Sequence, residues 1–451
     1  MKFSAPRLLL SLLLMAAVAF CAVSCGQYGS PQQFQLDQAS APVGLPSSAA
    51  VAGEPDQALA SAGLPSSTAF AGEPDQALAP AGLPTGNAVL GEPDQAQKAA
   101  LARAAVPPPP AKAPVQLLLV GDIMLDRVIG SQISRHGFTQ PFEATRDFIS
   151  AADIAFANLE SPASFLGSPA FSWKPELVTF RADPGSLIGL KYAGFDIVSL
   201  ANNHTTDYGR DSLTETMELL QALEVDWVGA GRNKAEARRH RIVQSGGVRI
   251  AFLAYSEFIG AAYEATETRT GVAVLRLEEV LEDLQLARAA RPDYIFISLH
   301  WGEEYKHYPL KKQEILARQL IDAGADGIIG HHSHALHGIE IYKNRPIIYS
   351  LGNFIFDMPW DYAKQSMAVS LHLGGQQLQR LEVTPLYVQS QPYRPVPVSG
   401  EEAERIMDNI ELWSEPFGTG FAREIDRLVY TFDQYYDRRT LARRLLPELA
   451  R

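Results

Sequence analysis

The chain has 451 residues, 46% hydrophobic and 20% charged, with a formal net charge of -12. That length holds one large domain or two ordinary ones with ample core, and the composition is that of a globular protein. Net acidity without a compact Lys/Arg block excludes a nucleic-acid binder, which needs a basic face.

The N-terminus, 1–25, reads as a targeting segment. Lys2 and Arg7 form a basic start, 8–23 is an apolar run shorter than a comfortable membrane span, and Ala22-Val23-Ser24 precede Cys25. This pattern resembles a bacterial lipoprotein signal, in which cleavage leaves Cys25 as a lipidated N-terminus anchored to a membrane. The alternative is an ordinary secretory signal and a secreted protein. Both cysteines, Cys21 and Cys25, lie in this leader. The rest of the chain therefore has no disulfide, no thiol nucleophile and no thiolate ligand for zinc.

Residues 26–114 are rich in Ala, Pro and Gly. A unit opening with Gly44-Leu45-Pro46 and closing with Gly53-Glu54-Pro55-Asp56-Gln57 recurs from Gly63 and from Gly82, a period of 19 residues. Each unit has two prolines and too few large apolar groups to bury, so disorder is expected rather than a solenoid. As a coil this tether has a root-mean-square span of about 50 Å.

The folded domain is expected over 115–400. Apolar runs at 115–120, 153–157, 196–200, 225–228, 248–254 and 293–299 read as strands. Segments 184–192, 211–223, 277–290 and 309–323 read as helices, the last with Pro309 in its first turn and Gly324 beyond its end. Strand–helix alternation implies an α/β sheet. After Gly338, runs at 339–342, 346–351, 367–373 and 378–383 read as strands without helices between them, hence antiparallel pairing. The segment 401–451 reads as a helical extension packed on the domain.

Five polar clusters follow predicted strands. Asp122 follows the first, Asn158 and Glu160 the second, and Asn202, Asn203 and His204 the third. His300 ends the run 294–299, and His331, His332 and His334 follow Ile328-Ile329. Taken singly, each of the first four has a plain structural explanation, as a turn or a satisfied strand end. The three-histidine segment is less ordinary, because neutral imidazole is the commonest metal ligand among side chains. Ligands in open α/β sheets bind beyond the carboxyl ends of strands. A mixed carboxylate, amide and imidazole set there suits a divalent cation, with Mn, Zn or Fe preferred and one or two ions accommodated.

The motifs Gly121-Asp122-Ile123-Met124, Asn158-Leu159-Glu160, Asn202-Asn203-His204-Thr205-Thr206-Asp207-Tyr208-Gly209, His300-Trp301-Gly302-Glu303-Glu304-Tyr305, Gly330-His331-His332-Ser333-His334 and Tyr349-Ser350-Leu351-Gly352-Asn353-Phe354 occur in that order. With them the chain resembles the CapA-type family of poly-γ-glutamate capsule synthesis proteins over about 115–420. The resemblance implies a calcineurin-like metallophosphoesterase-type sandwich of two mixed sheets flanked by helices, with a helical C-terminal segment. It implies an extracytoplasmic role in capsule-polymer synthesis or export. The partners would be an anionic polymer or phosphoester, the membrane and other capsule proteins.

Carried over residue by residue, it gives Asp122, Asn158, Glu160, Asn203, His300, His332 and His334 as metal ligands. His204 is the transition-state histidine with Asp207 orienting it. Glu304 would orient His300, and Asn202 and His331 are supporting neighbours. Met124 stands where the metallophosphoesterase pattern has a histidine, and a thioether is a poor replacement in a nitrogen/oxygen site. The resemblance also admits a metal-dependent hydrolase of phosphoesters or of an amide-linked polymer. Such enzymes clamp attacking and leaving oxygens between metal ions. Lys174, Arg181 and Lys306 lie near the motifs as candidate anion contacts.

Overall fold

The computed structural model describes residues 114–433 except Gln376. The leader with Cys25, nearly all of the repeat-bearing linker and 434–451 lie outside the described residues. Among the described residues no helix is long and apolar enough to cross a membrane.

The strands run, in chain order, β1 (Val115–Ile123), β2 (Ile154–Leu159), β3 (Ile197–Ser199), β4 (Asp226–Val228), β5 (Ala230–Gly231) and β6 (Arg241–Ser245). Next come β7 (Val248–Ser256), β8 (Gly271–Val272), β9 (Tyr294–His300), β10 (Gly327–His331), β11 (Ile339–Tyr342) and β12 (Arg345–Ile348). The last are β13 (Asn353–Ile355), β14 (Gln365–Gly374), β15 (Gln377–Ser390), β16 (Tyr393–Pro397), β17 (Ala422–Glu424) and β18 (Arg427–Thr431). A ten-stranded sheet has the order β17-β18-β15-β14-β1-β2-β3-β4, with β13 on β1 and β16 on β15. A six-stranded sheet has the order β11-β12-β10-β9-β7-β6, and β5 pairs with β8. β1 to β4 are parallel, as are β7, β9, β10 and β12, while β14–β15 and β11–β12 are antiparallel. This is the expected α/β sandwich of two mixed sheets flanked by helices.

Period-two alternation assigns the two faces of the six-stranded sheet. Ile250, Phe252 and Ala254 of β7 and Phe296 of β9 share one core with Leu119 and Phe156 of the other sheet. The rings of Phe156, Phe252 and Phe296 stack in series, with centroids 5.3 Å and 6.2 Å apart. Ala251, Leu253 and Tyr255 point the other way, into a second core with Val280 and Leu284 of helix Leu277–Ala289 and Leu320 and Ile321 of helix Lys311–Asp322. Pro309 sits just before that last helix rather than in its first turn. Gln313 caps the start instead, its Oε1 accepting from Leu310 N (2.8 Å).

Two expectations change. Among the described residues of the C-terminal segment, the α-helix spans Glu401–Ser414, followed by a 3-10 turn at Glu415–Phe417; 422–431 is the hairpin β17–β18, with Ile425 92% exposed at its tip. The run 346–351 is also not one strand. β12 ends at Ile348, and the chain crosses to the other sheet, where β13 pairs with β1. The crossing is tight: a Cβ at Gly121 would meet Gly352 O at 2.0 Å, and one at Gly330 would meet Tyr349 O at 1.9 Å. Hence glycine precedes both Asp122 and His331.

Candidate metal centre

Strand register brings the clusters together. Asn158 and Asn353 flank Asp122 across β2, β1 and β13, and His300 pairs with His331 across β9 and β10. All of these are buried. Ligand atoms of Asp122, Glu160 and His300 lie within 4.8 Å of one another.

Glu160 is the focus of the site. Its Oε1 lies 3.9 Å from His204 Nε2, 3.8 Å from His300 Nε2 and 3.8 Å from His334 Nε2. These distances are too long for hydrogen bonds, and this buried oxygen has no hydrogen-bond partner. Ligands about 2.1 Å from a common ion can be at most about 4.2 Å apart, and each of these nitrogens lies within that reach of Glu160 Oε1; among the described residues Asp122, Glu160 and His300 form the group whose ligand atoms are all mutually close. Burial, followed by the charge of Asp122 and a hydrogen bond with it, pushes the Glu160 carboxyl well above its ordinary value. Burial also raises Asp122, but the adjacent His331 ring, with charge from His300 and His334, outweighs it and holds that carboxyl below its usual range. Burial lowers His204 to about 4 and His332 to about 3, and lowers His300 well below its ordinary value. Neutral imidazoles with free lone pairs are the metal-binding form.

The hydrogen bonds sort ligands from supports. Asn202 Oδ1 accepts from the backbone N–H of His204 (3.1 Å) and Thr205 (2.9 Å), which fixes the direction of its amide. Its Nδ2 then donates to Leu159 O (2.8 Å) and Asn158 Oδ1 (3.1 Å). Asn158 must therefore turn its own Nδ2 inward, where it donates to Asp122 Oδ1 (2.9 Å). Asn158 was expected as a ligand through oxygen, but in this arrangement its oxygen is occupied and its amide nitrogen faces the carboxylates. Asn203 Oδ1, in contrast, lies 2.7 Å from His300 Nε2, open to the site. His332 Nδ1 approaches the same His300 nitrogen at 3.1 Å, and the His332 backbone N–H donates to Asp122 Oδ2 (3.2 Å). His332 and His334 adopt positive φ, 96° and 53°, the cost of turning both rings inward from one short loop. His331 Nδ1 is 2.9 Å from Asp122 Oδ1 but not aligned as a hydrogen bond.

His204 Nδ1 lies 2.8 Å from Asp207 Oδ2, and its ring stacks on Phe180 with centroids 4.0 Å apart. Lys174 pairs with Asp207 Oδ1 and reaches His204 Nδ1 at 3.1 Å. Lys174, considered only as an anion contact, is thus the charge partner of the His204 orienter. Arg181 lies over the Tyr208 ring, 4.1 Å from its centroid, and Lys306 is exposed.

Two further roles differ from expectation. Glu304 does not orient His300: it is exposed, and the polar partners of the His300 ring are Asn158, Asn203 and His332. Asn353, given no role above, has its Oδ1 2.9 Å from His334 Nδ1 and donates through Nδ2 to Ala363 O (2.9 Å). It therefore sets which His334 nitrogen faces Glu160. Its place in the last motif was the available signal. Met124 is fully buried, and its Sδ accepts from Asp126 N (3.1 Å), away from any ligand role.

The family model described as "Bacterial capsule synthesis protein PGA_cap" matches residues 116–358, more than half of the chain. The chain belongs to this family. Within the family it is 32% identical to "Capsule biosynthesis protein CapA" of Bacillus anthracis over 283 residues, 62% of this chain and 69% of that one. It is 31% identical to "PGA biosynthesis protein CapA" of Bacillus subtilis (strain 168) over 315 residues, 70% of this chain and 81% of that one. The solved Haemophilus influenzae NAD nucleotidase superimposes on 66% of this chain and 56% of that one, at 12% identity and a TM-score of 0.35. The PGA_cap match ends just after Asn353 and so takes in every site residue described above.

Proposed function

We propose that the protein acts outside the cytoplasm, held to a bacterial membrane by lipidated Cys25, in synthesis or export of a poly-γ-glutamate-like capsule polymer. One or two divalent cations, of Mn, Zn or Fe, occupy the strand-end site. Other capsule synthesis or export proteins are its partners. The observation that carries the cation site is the buried, unpartnered Glu160 Oε1 facing three imidazole nitrogens. Asp122, Glu160, Asn203, His300, His332 and His334 would hold the cation, with Asn158, Asn202, His331 and Asn353 fixing their directions. A bound divalent ion supplies positive charge that draws in and polarises an anionic oxygen, which a chain of net charge -12 otherwise lacks.

The second reading is a metal-dependent hydrolase of phosphoesters or of an amide-linked polymer. It is favoured by the Lys174–Asp207–His204 series, since a site that only binds has little need of an oriented, neutral imidazole. With Asp207 accepting from Nδ1–H, His204 Nε2 is the free nitrogen facing the site. An anion bound there raises its basicity and lets it hold a proton for a leaving group. The test incubates metal-loaded protein with phosphoesters and with γ-linked glutamate chains. Chelator-sensitive cleavage abolished by His204→Ala supports the hydrolase. Retention of the polymer without cleavage supports the first reading. Neither binding nor cleavage refutes both.

A further inference from the structure

A second feature of the domain carries a ligand-binding chemistry that the strand-end site does not. A cleft of about 460 Å³ lies between the C-terminal end of helix Arg127–His136 and the turn entering β16. Arg135, His136 and Arg394 line it, opposed by the single carboxylate Glu143. Among the described residues, neither arginine has an ion-pair partner; Arg394 Nε donates only to the neutral Gln389 Oε1 (3.3 Å). Gln140 also lines the cleft. It is only 6% exposed, and both its amide Nε2 and its Oε1 are buried without a hydrogen-bond partner. A buried amide with neither donor nor acceptor satisfied is rare in folded proteins, because each unmade bond costs free energy.

The unmet chemistry is specific. Guanidinium groups are forks for carboxylates. A primary amide offers one acceptor and two donors, which is the complement of a peptide-type N–H and C=O. A simple phosphate chain would satisfy the arginines and leave Gln140 Oε1 without a donor. A chain of carboxylates on an amide backbone satisfies both.

The cleft also stands in useful relation to the metal centre. Helix Arg127–His136, about 15 Å long at 1.5 Å per residue, joins the two. At its near end Arg127 pairs with Asp357 and lies 5.0 Å from the centroid of Phe180, the ring stacked on His204.

We propose that this cleft is an accessory binding site for a carboxylate-bearing, amide-linked chain, holding a segment of polymer about one helix length from the strand-end site. The proposal rests on the polymer reading given above and is independent of the metal.

The experiment measures binding of a synthetic γ-linked glutamate oligomer to the full-length protein, with inorganic polyphosphate as comparison. Arg135→Ala combined with Arg394→Ala should weaken oligomer binding at least about tenfold, since charge-assisted bonds are lost. Metal content should not change. Gln140→Leu should weaken it while leaving the melting temperature unchanged or higher, because an unpartnered buried amide is removed. Added salt should weaken the wild type more than the double variant. Oligomer binding unchanged in both variants overturns the cleft and leaves the polymer reading standing. No oligomer binding by the wild type overturns both. Polyphosphate bound as tightly as the oligomer, and unaffected by Gln140→Leu, overturns the assignment of an amide-linked ligand.

Discussion

Replacing Glu160 by Gln separates the two states of the site. The fully buried carboxyl titrates well above its ordinary value, chiefly through burial and then through the charge of Asp122. Without a cation it is therefore held as the neutral acid, which glutamine imitates in shape. A raised folded value gives stability that is complete below the unfolded value, near 4.3, and is lost as pH climbs toward the folded one. Cation-free wild type should therefore lose stability relative to Glu160→Gln as pH rises above about 5. A divalent cation at about 100 times its dissociation constant returns about 2.7 kcal/mol to the wild type and much less to the variant, reversing their order. Urea unfolding at several pH values, with chelator and with Mn, reads both effects. Parallel pH profiles for the two proteins in chelator would refute the buried neutral acid. Equal stabilisation of both by Mn would refute Glu160 as a ligand.

Asn353→Leu removes the acceptor facing His334 Nδ1 (2.9 Å); cation affinity, measured by competition with a chromogenic chelator, should fall about 10- to 100-fold with the fold intact. Asp207→Asn leaves the Lys174 ammonium, whose side chain is only 10% exposed, without its charge partner. Urea titration should show a loss of about 3–5 kcal/mol, and adding Lys174→Met should recover part of it rather than sum. Gly330→Ala places a methyl group 1.9 Å from Tyr349 O and should cost more than about 4 kcal/mol or prevent folding. Gly137→Ala, at φ 98° and ψ 161° but with nothing within 4 Å, should cost about 1–3 kcal/mol by thermal melting, from backbone strain alone.

Much of the fold and the convergence of the site were legible in the sequence, because buried parallel strands are short apolar runs and their ends carry the polar motifs. The two faces of β7 and β9 follow from alternation alone. What was not legible has physical reasons. Around the hairpin β17–β18, Phe421, Ile425, Leu428 and Phe432 fall at spacings that also suit a helix, although the structure leaves Ile425 exposed at the turn. Helix Arg127–His136 buries only Ile129 and Ile133, at helical spacing, and the intervening Gly130 lowers its helix propensity. The crossing from β12 to β13 depends on contact between two sheets, which no local pattern encodes. Within the site, residue type does not show which end of an amide faces inward. Asn158 became a donor because Asn202 is locked by the backbone of His204 and Thr205. Asn353 gained its role only through that same sheet crossing.

The central claim is that Glu160, with Asp122 and the imidazoles of His300, His332 and His334, forms a cation site. Elemental analysis of the purified full-length protein, beside Glu160→Gln and His300→Ala, addresses it most directly. The account predicts one or two equivalents of Mn, Zn or Fe per chain, removed by chelator and largely absent from both variants. Wild-type protein that carries no divalent metal, takes up none of the three on titration, and melts at the same temperature with and without chelator would contradict it.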